Sequence, residues 1–226
     1  MSEDTNMGTM EVPKPDGNKV SWFTTGYEGL DTIQASDKSA ASPRFWLPRG
    51  AEKKVTFVDS EPFCFWEVNL NLNGSWRNWF TSLKSLNQEC PLEKAGFKPY
   101  YVGMFTIIEH TPWTDSKGVE HKDNVKLFPA KTSTLKRLRR QVDKNGDLKG
   151  CTYTIFRTDE DKSPAVGDEY TFIESIEVAT LYPEAKVFEY EDLFSPSTKE
   201  ELAKIVGVSD NVNEVVKSDT DVDVPF

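Results

Sequence analysis

The chain has 226 residues, room for one domain with extensions or two small ones. Its 27 basic and 37 acidic residues give a net charge of −10, and only 37% of it is hydrophobic, so part of the length reads as polar arm rather than core. No apolar run approaches the ~18 residues of a membrane span, no apolar stretch follows Met1 as secretion would require, and Cys64, Cys90 and Cys151 are too few and too scattered for a disulfide framework. A reduced, cytoplasmic setting is the expectation.

In chain order, residues 1–43 read as a flexible N-terminal arm. Residues 1–20 are polar, with Pro13 and Pro15; Trp22-Phe23 and Tyr27-Glu28-Gly29-Leu30 form a short docked segment, and a Ser/Ala/Asp linker follows. Order is expected from Arg44-Phe45-Trp46-Leu47. Lys54 to Val58 alternates like a strand, and residues 63–72 and 75–83 flank Asn73-Gly74, the strongest short hairpin signal. Residues 100–109, 124–130, 150–158 and 168–178 complete the strands. Leu135, Leu138 and Val142 share one helical face, and Asn145-Gly146 ends that helix. A second short helix follows Ser195-Pro196, with Thr198 and Glu201 as its capping box and Gly207 at its end.

This content is all-β, mainly strands with one or two short helices. It fits an OB-fold, a five-stranded Greek-key barrel with extensions, over residues 44–180. A β-sandwich is the alternative, but it would not predict a helix so late in the strand order. Residues 181–207 read as a C-terminal extension with the short helix, and residues 208–226 as a disordered acidic tail.

Charge divides the chain in the same way. Residues 1–43 are net −4 and residues 183–226 net −7, while residues 44–182 are net +1. Within the core, residues 122–157 hold 10 bases and 3 acids. A basic patch on a chain with acidic ends suits a protein that handles a polyanion.

Nucleotide-cradling glycine motifs are missing, and so is any C-x-x-C pair. His110 and His121 with Cys90 match no zinc spacing, so no metal and no cofactor is expected. Asp159-Glu160-Asp161 precedes Lys162-Ser163-Pro164 and reads as a solvated loop. With few acid–base candidates, catalysis is not the economical reading.

The hairpin carries more information. An uninterrupted two-residue hairpin pairs Leu70 with Arg77, Val68 with Trp79, Trp66 with Thr81 and Cys64 with Leu83 on a core face. The opposite face then holds Phe65, Trp76 and Phe80 among polar residues, beside Arg77. Aromatic rings on a polar sheet face are what base stacking requires. Tyr101, Trp113 and Phe156 are further stacking candidates whose facing the pattern leaves open. Lys126, Lys131, Arg137, Arg139, Arg140 and Arg157 are the candidates for phosphate contacts.

The last residues run Ser218-Asp219-Thr220-Asp221-Val222-Asp223-Val224-Pro225-Phe226. Asp219, Asp221 and Asp223 can dock in a basic pocket while Pro225 and Phe226 fill an apolar notch. This ending resembles the tails of bacterial and phage single-stranded-DNA-binding proteins, which close on acidic residues and a terminal Phe. The core is similar to a phage-encoded family of such proteins. The likeness lies in Arg44-Phe45-Trp46-Leu47-Pro48 with Gly50, Lys54-Val55-Thr56-Phe57, and Leu70-Asn71-Leu72-Asn73-Gly74 with Trp76, Asn78 and Phe80-Thr81. It continues through Cys90-Pro91-Leu92, Phe105 to His110, Lys131 with Leu135, Leu148-Lys149-Gly150 and Val166-Gly167-Asp168. It spans about residues 44–173, with Ser21-Trp22 upstream. Family members can carry Cys-Pro-Leu-Cys where this chain has Cys90-Pro91-Leu92-Glu93, which argues against a metal there.

The resemblance implies an OB-fold that coats single-stranded DNA without sequence preference, in phage replication or recombination in the host cytoplasm. Partner proteins would be recruited through the tail; the reading is compatible with a homo-oligomer and involves no membrane and no catalysis. The rivals are an RNA-binding OB-fold protein, a structural phage protein with a solubility tail, and a nuclease using Asp159, Glu160 and Asp161.

Overall fold

The computed structural model describes residues 44–208, apart from 73, 115 and 116. The expected N-terminal docked segment and the acidic tail lie outside the described residues. No described helix is long and apolar enough to cross a membrane.

The chain is mainly β. Its strands are β1 (Glu52–Phe57), β2 (Phe63–Leu72), β3 (Ser75–Thr81), β4 (Tyr100–Glu109), β5 (Trp113–Thr114), β6 (Glu120–His121), β7 (Asn124–Lys131), β8 (Cys151–Phe156) and β9 (Glu169–Ser175). The helices are α1 (Pro91–Lys94), α2 (Thr132–Asn145), α3 (Val178–Leu181), α4 (Tyr190–Leu193) and α5 (Lys199–Val208), with a 3-10 turn at Leu83–Leu86. Strands pair antiparallel in the order β3-β2-β4-β1-β8-β9, and β7 lies along the other edge of β4. Among the described residues β7 and β9 do not pair, so the sheet is not closed. The segment entering β1 spans part of that gap. Phe45 N–H donates to Leu127 O on β7 (2.7 Å), and Leu47 N–H to Ala165 O in the loop before β9 (2.9 Å).

The continuous apolar run of β4 is explained by burial on both faces. Phe105 and Ile107 enter the main core with Phe45, Leu47, Val55, Phe57, Phe128, Tyr153 and Ile155. Leu135, Leu138 and Val142 of α2 close over the same core, as their spacing predicts. On the other face, Val102 and Met104 pack with Phe63, Phe65, Tyr190 and Phe194, while Ile108 packs with Val58 and Val178. Residues 177–198 thus form a strap across the outside of the sheet. The capping box at α5 is made in both arms: Thr198 N–H donates to Glu201 Oε2 (2.9 Å) and Glu201 N–H to Thr198 Oγ1 (3.2 Å). It sets Leu202, Ile205 and Val206 onto Val68, Leu70, Leu83 and Leu92.

The hairpin departs from its expected register. Leu72 opposes Ser75 as predicted, but Leu70 opposes Asn78, Val68 opposes Phe80 and Glu67 opposes Thr81. Asn71 therefore faces two residues, Trp76 and Arg77, in a β-bulge. Beyond the bulge every β3 side chain sits on the opposite face from the one an uninterrupted hairpin predicts.

Candidate nucleic-acid interface

An exposed ring lies near the start of β4, across from the middle of β2. Trp66 and Tyr101 are cross-strand partners, so their side chains share a face. Their ring centroids are 5.5 Å apart at 64°. Tyr101 is 38% exposed, and Trp66 is half-buried. Lys84 sets its ammonium 3.6 Å from the centre of the Trp66 ring, a cation–π contact. Local backbone fixes that lysine. Ser82 caps the 3-10 turn by accepting from Lys84 N–H (3.1 Å), Asn87 ends it in the left-handed region (φ 55°), and Trp66 N–H donates to Ser85 Oγ (2.9 Å). A hydrogen bond with the exposed Cys64 thiol, aided by burial, raises the pKa of the Tyr101 phenol.

Helix α2 begins beside this platform. A Cβ added to Gly103 would lie 2.8 Å from Leu135 Cδ2 and 3.3 Å from Cys64 Sγ, so only glycine lets the helix approach so closely. Its outward stripe is Lys136, Arg139, Arg140 and Lys144, all exposed, with Asp143 among them. Of the predicted set, Tyr101 is thus exposed on the sheet near the start of this helix, and Arg139 and Arg140 are exposed on the helix's outward stripe.

The other predicted residues are dispersed, and several are not presented to solvent. Phe65 is 5% exposed, because Phe194 of the strap stacks on it. Phe80 is carried by the bulge to the Val68 side, where it packs in the α5-covered cluster. Trp76 is half-buried and Arg77 exposed, both at the bulge. Lys126 binds Glu109 Oε2 (2.5 Å), a buried carboxylate that Lys53 also pairs. Lys131 holds its ammonium 4.8 Å from the Tyr100 ring centre. Arg137 is half-buried and turned toward Asp168 and Tyr170. Arg157 is 1% exposed and donates to Leu47 O (2.9 Å) and Ser163 O (3.1 Å); burial holds its guanidinium below the usual range. Phe156 is half-buried between Glu52 and Glu169 on neighbouring strands. Trp113 stacks on His121 (4.6 Å, 18°) past the far end of β4 from Tyr101. Asp219, Asp221, Asp223, Pro225 and Phe226 lie outside the described residues.

Trp66 and Lys84 were not among the predicted residues. Alternation put Trp66 on the core face, and it is on that face with the buried Val68 and Leu70; but it lies between them and the exposed Cys64, so it is only half-buried. Lys84 carries no sequence signal apart from the Ser82 cap two residues earlier.

One polar chain resembles a catalytic relay. Asp123 Oδ1 lies 2.6 Å from His110 Nδ1, and His110 Nε2 lies 2.7 Å from Thr56 Oγ1. Thr56 is 0% exposed and shares its hydroxyl with Thr152 (2.7 Å), so no substrate can reach it; the chain ties β1, β4 and β8 together. Arg49 pairs with Asp161 (3.1 Å), and among the described residues no three His, Cys, Asp or Glu side chains are grouped to hold a metal. Neither a protein-family model nor a curated protein matches the chain.

Proposed function

We propose that the protein binds single-stranded DNA without sequence preference, in the manner of the phage-encoded proteins its sequence resembles. The observation that carries this reading is the exposed Tyr101 ring beside Trp66, which lies under the Lys84 ammonium, on a sheet whose following helix exposes the Lys136–Arg139–Arg140–Lys144 stripe. A ring offers every base a stacking surface and a cationic stripe tracks the phosphates, which is the sequence-tolerant combination. We read β7-β4-β1-β8-β9 as the five strands of a partly open OB-fold, with α2 between its third and fourth strands and β2–β3 as an elaboration. The strand order and the position of the helix support this reading. In the same reading, Asp219 to Phe226 recruits replication or recombination proteins, and the chain works in the host cytoplasm.

Gel shifts with single-stranded DNA, duplex DNA and single-stranded RNA at two salt concentrations test the function. The expected result is preferential, salt-weakened binding of single-stranded DNA. Preference for RNA, or no binding at low salt, overturns it.

A further inference from the structure

The outer face of β2 carries a second set of rings, and the chain's own strap covers it. Phe63 and Phe65 alternate with Trp66 and so lie on the opposite face of the strand. Tyr190 stacks on Phe63 with centroids 5.4 Å apart and 22° between planes. Phe194 stacks on Phe65 at 4.7 Å and 27°, and Tyr190 and Phe194 are themselves tilted by only 21°. In the main core, Phe57 meets Phe105 and Tyr153 edge-on, at 87° and 85°, while Phe45 and Phe128 lie near-parallel at 25°. Near-parallel rings laid on a sheet reproduce the geometry in which a sheet-borne aromatic holds a nucleobase. The segment supplying them is anionic as well: from 184 to 193, Glu184, Glu189, Glu191 and Asp192 stand against a single base, Lys186.

The strap is anchored at its ends and lightly held between them. Val178 is buried against Val58 and Ile108, and Leu202 is buried against the hairpin. No residue from 179 to 201 is fully buried. The middle is held by the Tyr190 hydroxyl on Asp59, by Phe188 N–H on Thr106 Oγ1 (3.1 Å) and by the Thr81 hydroxyl on Phe194 O (2.8 Å).

We propose that Phe63 and Phe65 form a second base-stacking site for single-stranded DNA, occupied by Tyr190 and Phe194 in the free protein and by bases once the middle of the strap lifts. This rests on the DNA-binding reading above. It accounts for an aromatic pair on a strand face that needs no rings of its own for the main core.

Hydrogen exchange on the full chain, with and without saturating oligo(dT), reads the strap directly. With DNA bound, amides from 188 to 194 should exchange ~10-fold faster or more, while those of α5 stay unchanged. Unchanged or slower exchange there overturns the second site. Phe194→Ala should raise oligo(dT) affinity ~5-fold or more, since emptying a self-occupied site gains the inverse of its open fraction. Adding Phe65→Leu should abolish that gain. Affinity that is unchanged or lowered in a folded Phe194→Ala protein also overturns it. If the wild-type chain binds no oligo(dT), the function itself fails and the second site with it. If it binds in a Tyr101-dependent way and the strap does not respond, the second site alone fails.

Discussion

Tyr101 and Phe80 are both aromatic residues on strands, yet they should respond to truncation in opposite ways. Tyr101→Ala is expected to weaken single-stranded DNA binding by ~1–3 kcal/mol with little change in stability, because the ring faces solvent. Phe80→Ala should instead cost about 2 kcal/mol of stability, because the ring packs under α5. A thermal melt beside a binding titration separates the two. The cations divide similarly. Neutralising Arg139 or Arg140 should lower the slope of log affinity against log salt by ~0.7 each. Arg157→Met should leave that slope alone and destabilise the fold by roughly 1.5–3 kcal/mol, since it strips two buried carbonyls of a charged donor. A salt slope that drops in Arg157→Met but not in Arg139→Gln would invert these assignments.

At the scale of elements, the strap makes stability depend on pH through Asp59. Burial raises its carboxyl from 3.8 to about 6, despite hydrogen bonds from Tyr190 and Thr106. A raised acid pKa means that the docked state favours the protonated form. The fold with the strap docked is therefore most stable below pH ~4 and loses on the order of 3 kcal/mol as pH rises through about 6. Asp59→Asn should remove this dependence and raise the melting temperature at pH 7; a melting temperature with the same pH profile in both proteins would rule it out. The seven strands of the main sheet, the basic helix and the α5 capping box were legible beforehand because each repeats a local period or cap over enough residues, whereas the two-residue strands β5 and β6 are too short to show one. The single-turn helices α1, α3 and α4 were not, since four residues are too few to show a period. The bulge was hidden for a different reason. No glycine marks it, and only the burial of Phe80 rather than Trp79 on the Val68 face distinguishes it from a regular hairpin. Trp66 was assigned to its correct face and misjudged in exposure, because a sequence shows alternation and not where a core ends.

For the whole molecule, the uneven charge sets how binding should respond to salt. The net charge of −10 arises outside residues 44–182: residues 1–43 are −4 and residues 183–226 are −7, while residues 44–182 are +1 and carry the basic stripe. An anionic tail tethered to such a body has a high local concentration at any cationic surface it can reach. Deleting residues 218–226 is expected to raise single-stranded DNA affinity at low salt, with the gain vanishing as the Debye length shortens. The same deletion should abolish capture of replication or recombination partners. Removing Phe226 alone should lose the partner and spare DNA binding. Equal DNA affinity with and without the tail at every salt concentration would make it a solubility segment.

The bulge at Trp76 and Arg77 also acts as a parity setting for the hairpin. Removing one of these two residues would shift β3 by one place against β2 and exchange inside for outside along the rest of the strand. Trp79, now stacked by the Arg44 guanidinium at 4.2 Å, would swing into the space beneath α5, and Phe80 would come out against the Arg44–Glu67 pair. A one-residue deletion is therefore a larger perturbation here than any single substitution in β3. An insertion made there instead of the deletion would likewise reverse the faces, whereas pairing the deletion with a second one at Asn71 would restore the one-residue excess of β3. Length, more than residue identity, is the property of the hairpin tip that this fold depends on.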